Sequence, residues 1–164
     1  MNRRIAPLLR RALMILGALI AMVLQQTFFS RIRILGVVPE LVPVAVALAA
    51  MWEDTAVGGL MGLIVGVIYG LGGALFPAVR VVTTTLSGIL AGVLCQSSLR
   101  RCLPTALALA LAAVLLCCAG DALMLGWSES GFPADFAAVT VVSALFALPL
   151  YPVFRALSRI GGSK

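Results

Sequence analysis

Six long runs without charge dominate this sequence, and they constrain its fold more than any other feature. They cover 12–30, 34–52, 55–79, 81–99, 102–120 and 136–154, and only Glu40 interrupts the second. A helix needs about 20 apolar residues to cross the hydrocarbon of a bilayer. Charged residues make up 11% of the chain and its mean hydropathy is +1.15. A soluble domain carries about 25% charged residues, so this chain has too few to cover a water-facing surface. The expectation is an all-α integral membrane protein, a single domain over 1–164 with six transmembrane helices. The breaks at Glu53-Asp54 and at Arg80 are short. The piece "GLGGALFPAV", 70–79, holds glycines and a proline, so it reads as helix end, surface loop or re-entrant loop. A five-span arrangement stays open for that reason.

Charge sets the expected orientation. With six spans, Arg3, Arg4, Arg10, Arg11, Arg100, Arg101, Arg155, Arg159 and Lys164 fall on one side, and Arg31, Arg33 and Arg80 on the other. Basic residues concentrate on the cytoplasmic side, so both termini are expected in the cytoplasm. The connection 121–135 then lies outside, with Asp121, Glu129 and Asp135 and no basic residue. The first run has the basic start of a signal peptide, but it lacks a small-residue cleavage site and reads as a retained span. The net charge of +6 does not point to nucleic acid. The basic residues sit at the ends of apolar runs, where they meet lipid headgroups.

The segment "GGLMGLIVGVIYG" places Gly58, Gly62, Gly66 and Gly70 four residues apart. Residues four apart share a helix face. In a bilayer, helices gain little by hiding apolar surface from equally apolar lipid. They associate where small residues let backbones approach. The next run carries a second such track, Thr84, Gly88 and Gly92. Both tracks are expected to pack against helices, either within the molecule or on a partner.

Glu40, in "GVVPELVPV", is the one carboxylate well inside a run. An intramembrane carboxylate is a candidate functional group. The alternative is an interfacial carboxylate in a first helical turn, with Pro39 at the first helical position and the helix dipole favouring the charge. Arg31, Arg33 or Arg80 would pair with it. Gln25 ends the first run and either bonds between helices or meets headgroups; Asp121 is expected to be solvated. There is no histidine, so the commonest general base and metal ligand are missing. Cys95, Cys102, Cys117 and Cys118 form no CxxC pair and read as small buried hydrophobes. No phosphate loop or carboxylate pair stands out. The chain is expected to have no catalytic residues, cofactor or metal.

The residues Gln25, Pro39-Glu40-Leu41, Gly58, Gly62, Gly66 and Gly70-Leu71, followed by "LSGILAGVL", resemble the rod shape-determining MreD family over roughly 24–94. The sequence departs from that pattern at Tyr69-Gly70, where the family often has an acidic residue. The resemblance implies a bacterial inner-membrane protein of the cell-elongation machinery. Such a protein binds MreC. It helps couple MreB filaments to peptidoglycan synthesis by RodA and its penicillin-binding partner. The architecture is also similar to the small S-components of energy-coupling-factor vitamin transporters, which supplies the alternative function.

Overall fold

A computed structural model describes residues 5–29, 31, 36–72, 76–97, 100–125 and 132–159. They are helical nearly throughout, with no strand among them. Helix α1, Ile5–Leu24, runs on into a π-helical turn, Gln25–Phe29. There follow α2 (Leu41–Ala50), α3 (Thr55–Leu71), α4 (Pro77–Ser97), α5 (Leu103–Leu125), α6 (Phe132–Leu145) and α7 (Ala147–Arg159).

Among the described residues three stretches are long and apolar enough to cross a membrane: Pro7–Phe29, Pro77–Ser97 and Leu103–Met124. The pair α6 and α7, bent by 42°, makes a fourth when taken as one span. The bend has a local cause. Pro149 has no N–H to give the carbonyl of Leu145, so the ladder breaks. The Phe146 N–H turns back to Ser143 instead, at 3.1 Å. The outward surface of these helices is studded with exposed leucines, with Leu123 at 69% and Leu8 at 62% exposure. That is the pattern of a lipid-facing wall rather than a wetted one.

The second apolar run behaves differently from its length. Of 34–52, only Leu41–Ala50 forms an α-helix, with hydrogen-bonded turns reaching Glu53. Gly36 takes a left-handed backbone (φ 85°), which a side chain would resist. Residue 38 precedes a proline and is steered away from helix. The helix therefore starts late. All ten of its residues are buried, and they are Val, Ala, Leu and one Pro. An all-round apolar helix belongs in a core. Here α2 is the axis of the bundle, touched by every other helix.

Helices α3 and α4 form the most extensive contact of the fold. They are antiparallel, and the region 70–79 resolves accordingly. Helix α3 runs to Leu71 and α4 opens with Pro77 at its first position, where a missing N–H costs nothing. The re-entrant reading of this piece rests on residues 73–75, which lie outside the described residues.

Candidate functional site

The entry to α2 is where the polar side chains gather. Helix α2 starts at Leu41, so Pro39 does not occupy the first helical position. Glu40 is the N-cap, in extended conformation, and its carboxylate caps nothing. The first four N–H groups of any helix lack partners within it. Here all four are accounted for. The Glu40 N–H donates to Ser143 Oγ at 2.8 Å. The Leu41 and Val42 N–H groups both donate to Gln25 Oε1, at 2.7 and 2.9 Å. The fourth position is Pro43, which has no N–H. Gln25 in turn donates from Nε2 to the Tyr69 hydroxyl at 3.0 Å. Gln25 thus lies buried between helices rather than among headgroups. It sits in the π-helical turn, a distortion that often accompanies such re-aimed side chains.

With the cap supplied by Gln25, the Glu40 carboxylate is free to pair. Arg80, in the first turn of α4, grips it with both ends of its guanidinium. Nη1 donates to Oε2 at 2.8 Å and Nη2 to Oε1 at 2.6 Å. Nη2 also contacts Asp121 Oδ2, from the last turns of α5. The guanidinium carbon lies 5.8 Å from the centre of the Tyr69 ring, within cation–π range. The side chains of Arg80, Glu40 and Asp121 are 11%, 15% and 24% exposed. Asp121, expected to be solvated, is instead held by Arg80. Sequence gave no sign of this because the two lie 41 residues apart.

A second polar layer closes the other end of α2. Glu53 is buried, with its side chain 1% exposed. Arg10 Nε lies 2.7 Å from Oε1, an ion pair without hydrogen-bond alignment, and Arg11 Nε donates to Oε2 at 3.4 Å. Gln96 accepts from Thr55 at 2.9 Å and donates to Asp54 at 3.1 Å, tying the end of α4 to the start of α3. Arg101 stacks over Trp52, its guanidinium carbon 5.7 Å from the ring. Of the arginines expected to pair with Glu40, Arg80 is the one that does so among the described residues; Glu53 and Tyr69 were not singled out as site residues from sequence. The signal for Arg80 was its place as one cation between two apolar runs.

The glycine tracks join these two layers. A Cβ on Gly58 would lie 2.7 Å from the Gly88 carbonyl oxygen, and one on Gly88 would strike the Gly58 carbonyl. A Cβ on Gly62 would meet the backbone of Thr84 and Thr85, and one on Gly66 would meet Thr84 and Val81. One on Gly70 would reach Pro77, and one on Gly92 would stand 2.7 Å from Thr55 Cα. Each step of four down α3 is thus matched by a step of three or four up α4. Gly58, Gly62, Gly66, Gly70, Gly88 and Gly92 face one another across a single helix pair. Thr83, Thr84, Thr85 and Ser87 turn their hydroxyls back to carbonyls three or four residues earlier, at 2.6–3.3 Å. This disposes of polar atoms inside the contact.

No protein-family model, no curated protein and no solved structure matches this chain. Its chemistry must be read from the site. Arg80 stays protonated and has no acid–base role. What the arrangement does is fasten: six elements meet at one end of α2 through groups that satisfy one another. Among the described residues no group of three His, Cys, Asp or Glu side chains is placed to hold a metal. The four cysteines are free thiols.

Proposed function

We propose that this protein is a non-enzymatic scaffold of the bacterial cell-elongation machinery in the inner membrane. In this reading it binds MreC and, through it or directly, RodA and its penicillin-binding partner. It would thereby help couple MreB filaments to peptidoglycan synthesis and cell shape.

One observation carries the reading. The residues behind the resemblance to the MreD family lie far apart in sequence yet belong to one construction. Gln25 caps the helix that Pro39-Glu40-Leu41 opens. Glu40 is held by Arg80. Arg80 rides on the helix against which Gly58, Gly62, Gly66 and Gly70 pack. A motif whose members support one another is a unit of structure, which favours the family as a whole over a chance run of apolar residues. The surface also fits. The grooves between outer helices are apolar; that of about 570 Å³ beside α3 and α4 is lined by Gly59, Leu60, Leu63 and Ile89 among others. A solute-binding subunit needs a pocket with convergent polar groups, whereas here most polar side chains gathered at the ends of α2 pair with one another.

The same reading takes all six apolar runs as spans. Polar contacts collect at two ends of the bundle, and successive elements reach them alternately. Gln25, Glu40, Tyr69, Arg80, Asp121 and Ser143 meet at one end, while Arg10, Glu53, Thr55, Gln96, Arg101 and Tyr151 lie at the other. Helices α6 and α7 together make the sixth passage, and the arginine-rich end is cytoplasmic.

The test is purification of the tagged protein from its own membrane in mild detergent, with mass spectrometry of what accompanies it. Recovery of MreC, RodA or the penicillin-binding partner is expected. Recovery of a paired ATPase with a transmembrane coupling subunit would replace the scaffold with the vitamin-transporter S-component.

A further inference from the structure

The charges at the entry to α2 are shared unevenly. Among the described residues two carboxylates, Glu40 and Asp121, share the one guanidinium of Arg80. Glu40 is saturated, since both its oxygens accept from Arg80. Asp121 is not. Only Oδ2 contacts Arg80, and Oδ1 has no partner among the described residues. Arg31, the other described cation near this end, is exposed and pairs with neither acid. Asp121 is also the most exposed of the three side chains, at 24%.

Two of its described neighbours along α5 are exposed and apolar. Met124, one turn on and on the same face of α5, is 57% exposed, and neighbouring Leu123 is 69% exposed. A carboxylate half-used by an internal arginine, opening beside exposed apolar side chains, is complementary to a cation approaching from the membrane plane rather than from water. We propose that Asp121 receives a lysine or arginine side chain from the transmembrane helix of a partner protein, near that helix's outer end. This inference rests on the scaffold reading for the existence of a membrane partner, and adds the chemistry by which the partner is recognised. Met124, unbranched and adaptable, supplies apolar contact beside the ion pair.

The experiment places a photo-crosslinking amino acid at Met124 in the full chain, in its host membrane, and maps adducts by mass spectrometry. The expected adduct is a transmembrane segment of another protein with a Lys or Arg within about one helical turn of the linked residue. Its yield per folded molecule should fall about tenfold in Asp121→Asn. It should persist in Asp121→Glu and return when Asp121→Lys is combined with an acidic replacement of the partner's basic residue. An adduct with lipid alone, with a second copy of this chain, or with a segment lacking basic residues overturns the proposal. So does a yield that Asp121→Asn leaves unchanged. If Asp121→Asn fails to accumulate, the paired charge reversal decides alone, and failure of that pair to restore the adduct overturns the proposal. Co-purification of MreC with the unmodified chain is scored separately. Its retention alongside a failed crosslink rejects the Asp121 contact only, whereas its loss from the unmodified chain rejects the scaffold reading.

Discussion

Replacing Gly62 by alanine tests whether α3 and α4 are held at a distance set by backbone. The added Cβ would lie 2.9 Å from Thr85 Cα and 3.0 Å from the Thr84 carbonyl carbon, and closer still to its oxygen. Normal carbon contacts are about 3.5–4.0 Å, so the helices must part by most of an ångström. Nothing in the way can rotate. Overpacking of this kind costs about 1–3 kcal/mol, and a site walled by backbone belongs at the upper end. Alanine regains at most about 1 kcal/mol of helix propensity over glycine. A net loss of about 2 kcal/mol follows, which lowers the melting temperature by roughly 4–8 °C for a chain of this size. Gly59 is the control, one position from Gly58 on the same helix. Its Cβ would meet Ile89 Cγ1 at 2.8 Å and Cδ1 at 3.4 Å. That is a side chain rather than backbone. Moving Cγ1 off its rotamer costs about 0.5–1.5 kcal/mol, against about 1 kcal/mol regained in helix propensity, so Gly59→Ala should stay within about 0.5 kcal/mol of the parent. The assay is thermal loss of the monodisperse peak in detergent for the parent and both variants. Equal melting of Gly62→Ala and parent, or an equal drop for both variants, would refute the reasoning.

Three further outcomes are expected. Glu40→Leu leaves the largely buried Arg80 with only Asp121 and should cost about 3 kcal/mol, whereas Glu40→Leu with Arg80→Met should cost less than the single change; the same melts decide, and a double variant worse than the single contradicts the ion-pair account. Gln25→Leu strips the acceptor from two buried N–H groups and should cost about 2–4 kcal/mol, with faster amide exchange at Leu41 and Val42 as its local sign. Cys102 sits before α5 with the Thr105 hydroxyl 3.1 Å from its sulfur, and donation to the thiolate pulls its pKa below the usual thiol range. A membrane-impermeant maleimide should label Cys102 ahead of buried Cys117, only from the cytoplasmic side, and more slowly at neutral pH in Thr105→Ala; labelling from outside would invert the orientation.

The membrane class of this chain was legible because it depends on composition and run length, which are local. The α3–α4 glycine tracks were legible as faces, since periodicity of four is also local. That the two faces meet each other followed only from the antiparallel hairpin. The short axis helix was hidden. Residues 34–52 read as one apolar span, although Gly36 and Pro39 already marked a late start. Gln25 was left between two readings, and Asp121 was misjudged, for the same reason. Each looked like a polar residue at the end of a run, and a residue there is solvated unless something distant claims it. The Leu41 and Val42 amides claim Gln25 across 16 and 17 residues, and Arg80 claims Asp121 across 41. Neither partner has a local signature.

The length of the axis explains why the charges are arranged as they are. Glu40 and Glu53 are separated by thirteen residues of α2 and its closing turns, a rise of about 20 Å. The hydrocarbon of a bilayer is about 30 Å thick. In the six-span reading proposed above, a centred axis places each glutamate about 5 Å below the surface, out of easy reach of water for a short carboxylate. Arginine can reach it, because its long stem lets the head climb while the chain stays in the apolar zone. The exposures follow this asymmetry at the Glu53 end and reverse it at the other, where Arg80 is 11% exposed against 15% for Glu40 and 24% for Asp121. Glu53 is 1% exposed, whereas Arg10 and Arg11, which reach in from α1, are 28% and 38% exposed. Acids on the central helix are thus neutralised by arginines on surrounding helices, and each ion pair pins an outer helix to the axis. At the α1 end the cations outnumber the acid, and their excess faces headgroups. At the Glu40 end Glu40 and Asp121 share the single guanidinium of Arg80. Among the described residues Asp121 keeps one carboxylate oxygen without a partner, the opening that the proposed partner cation would fill.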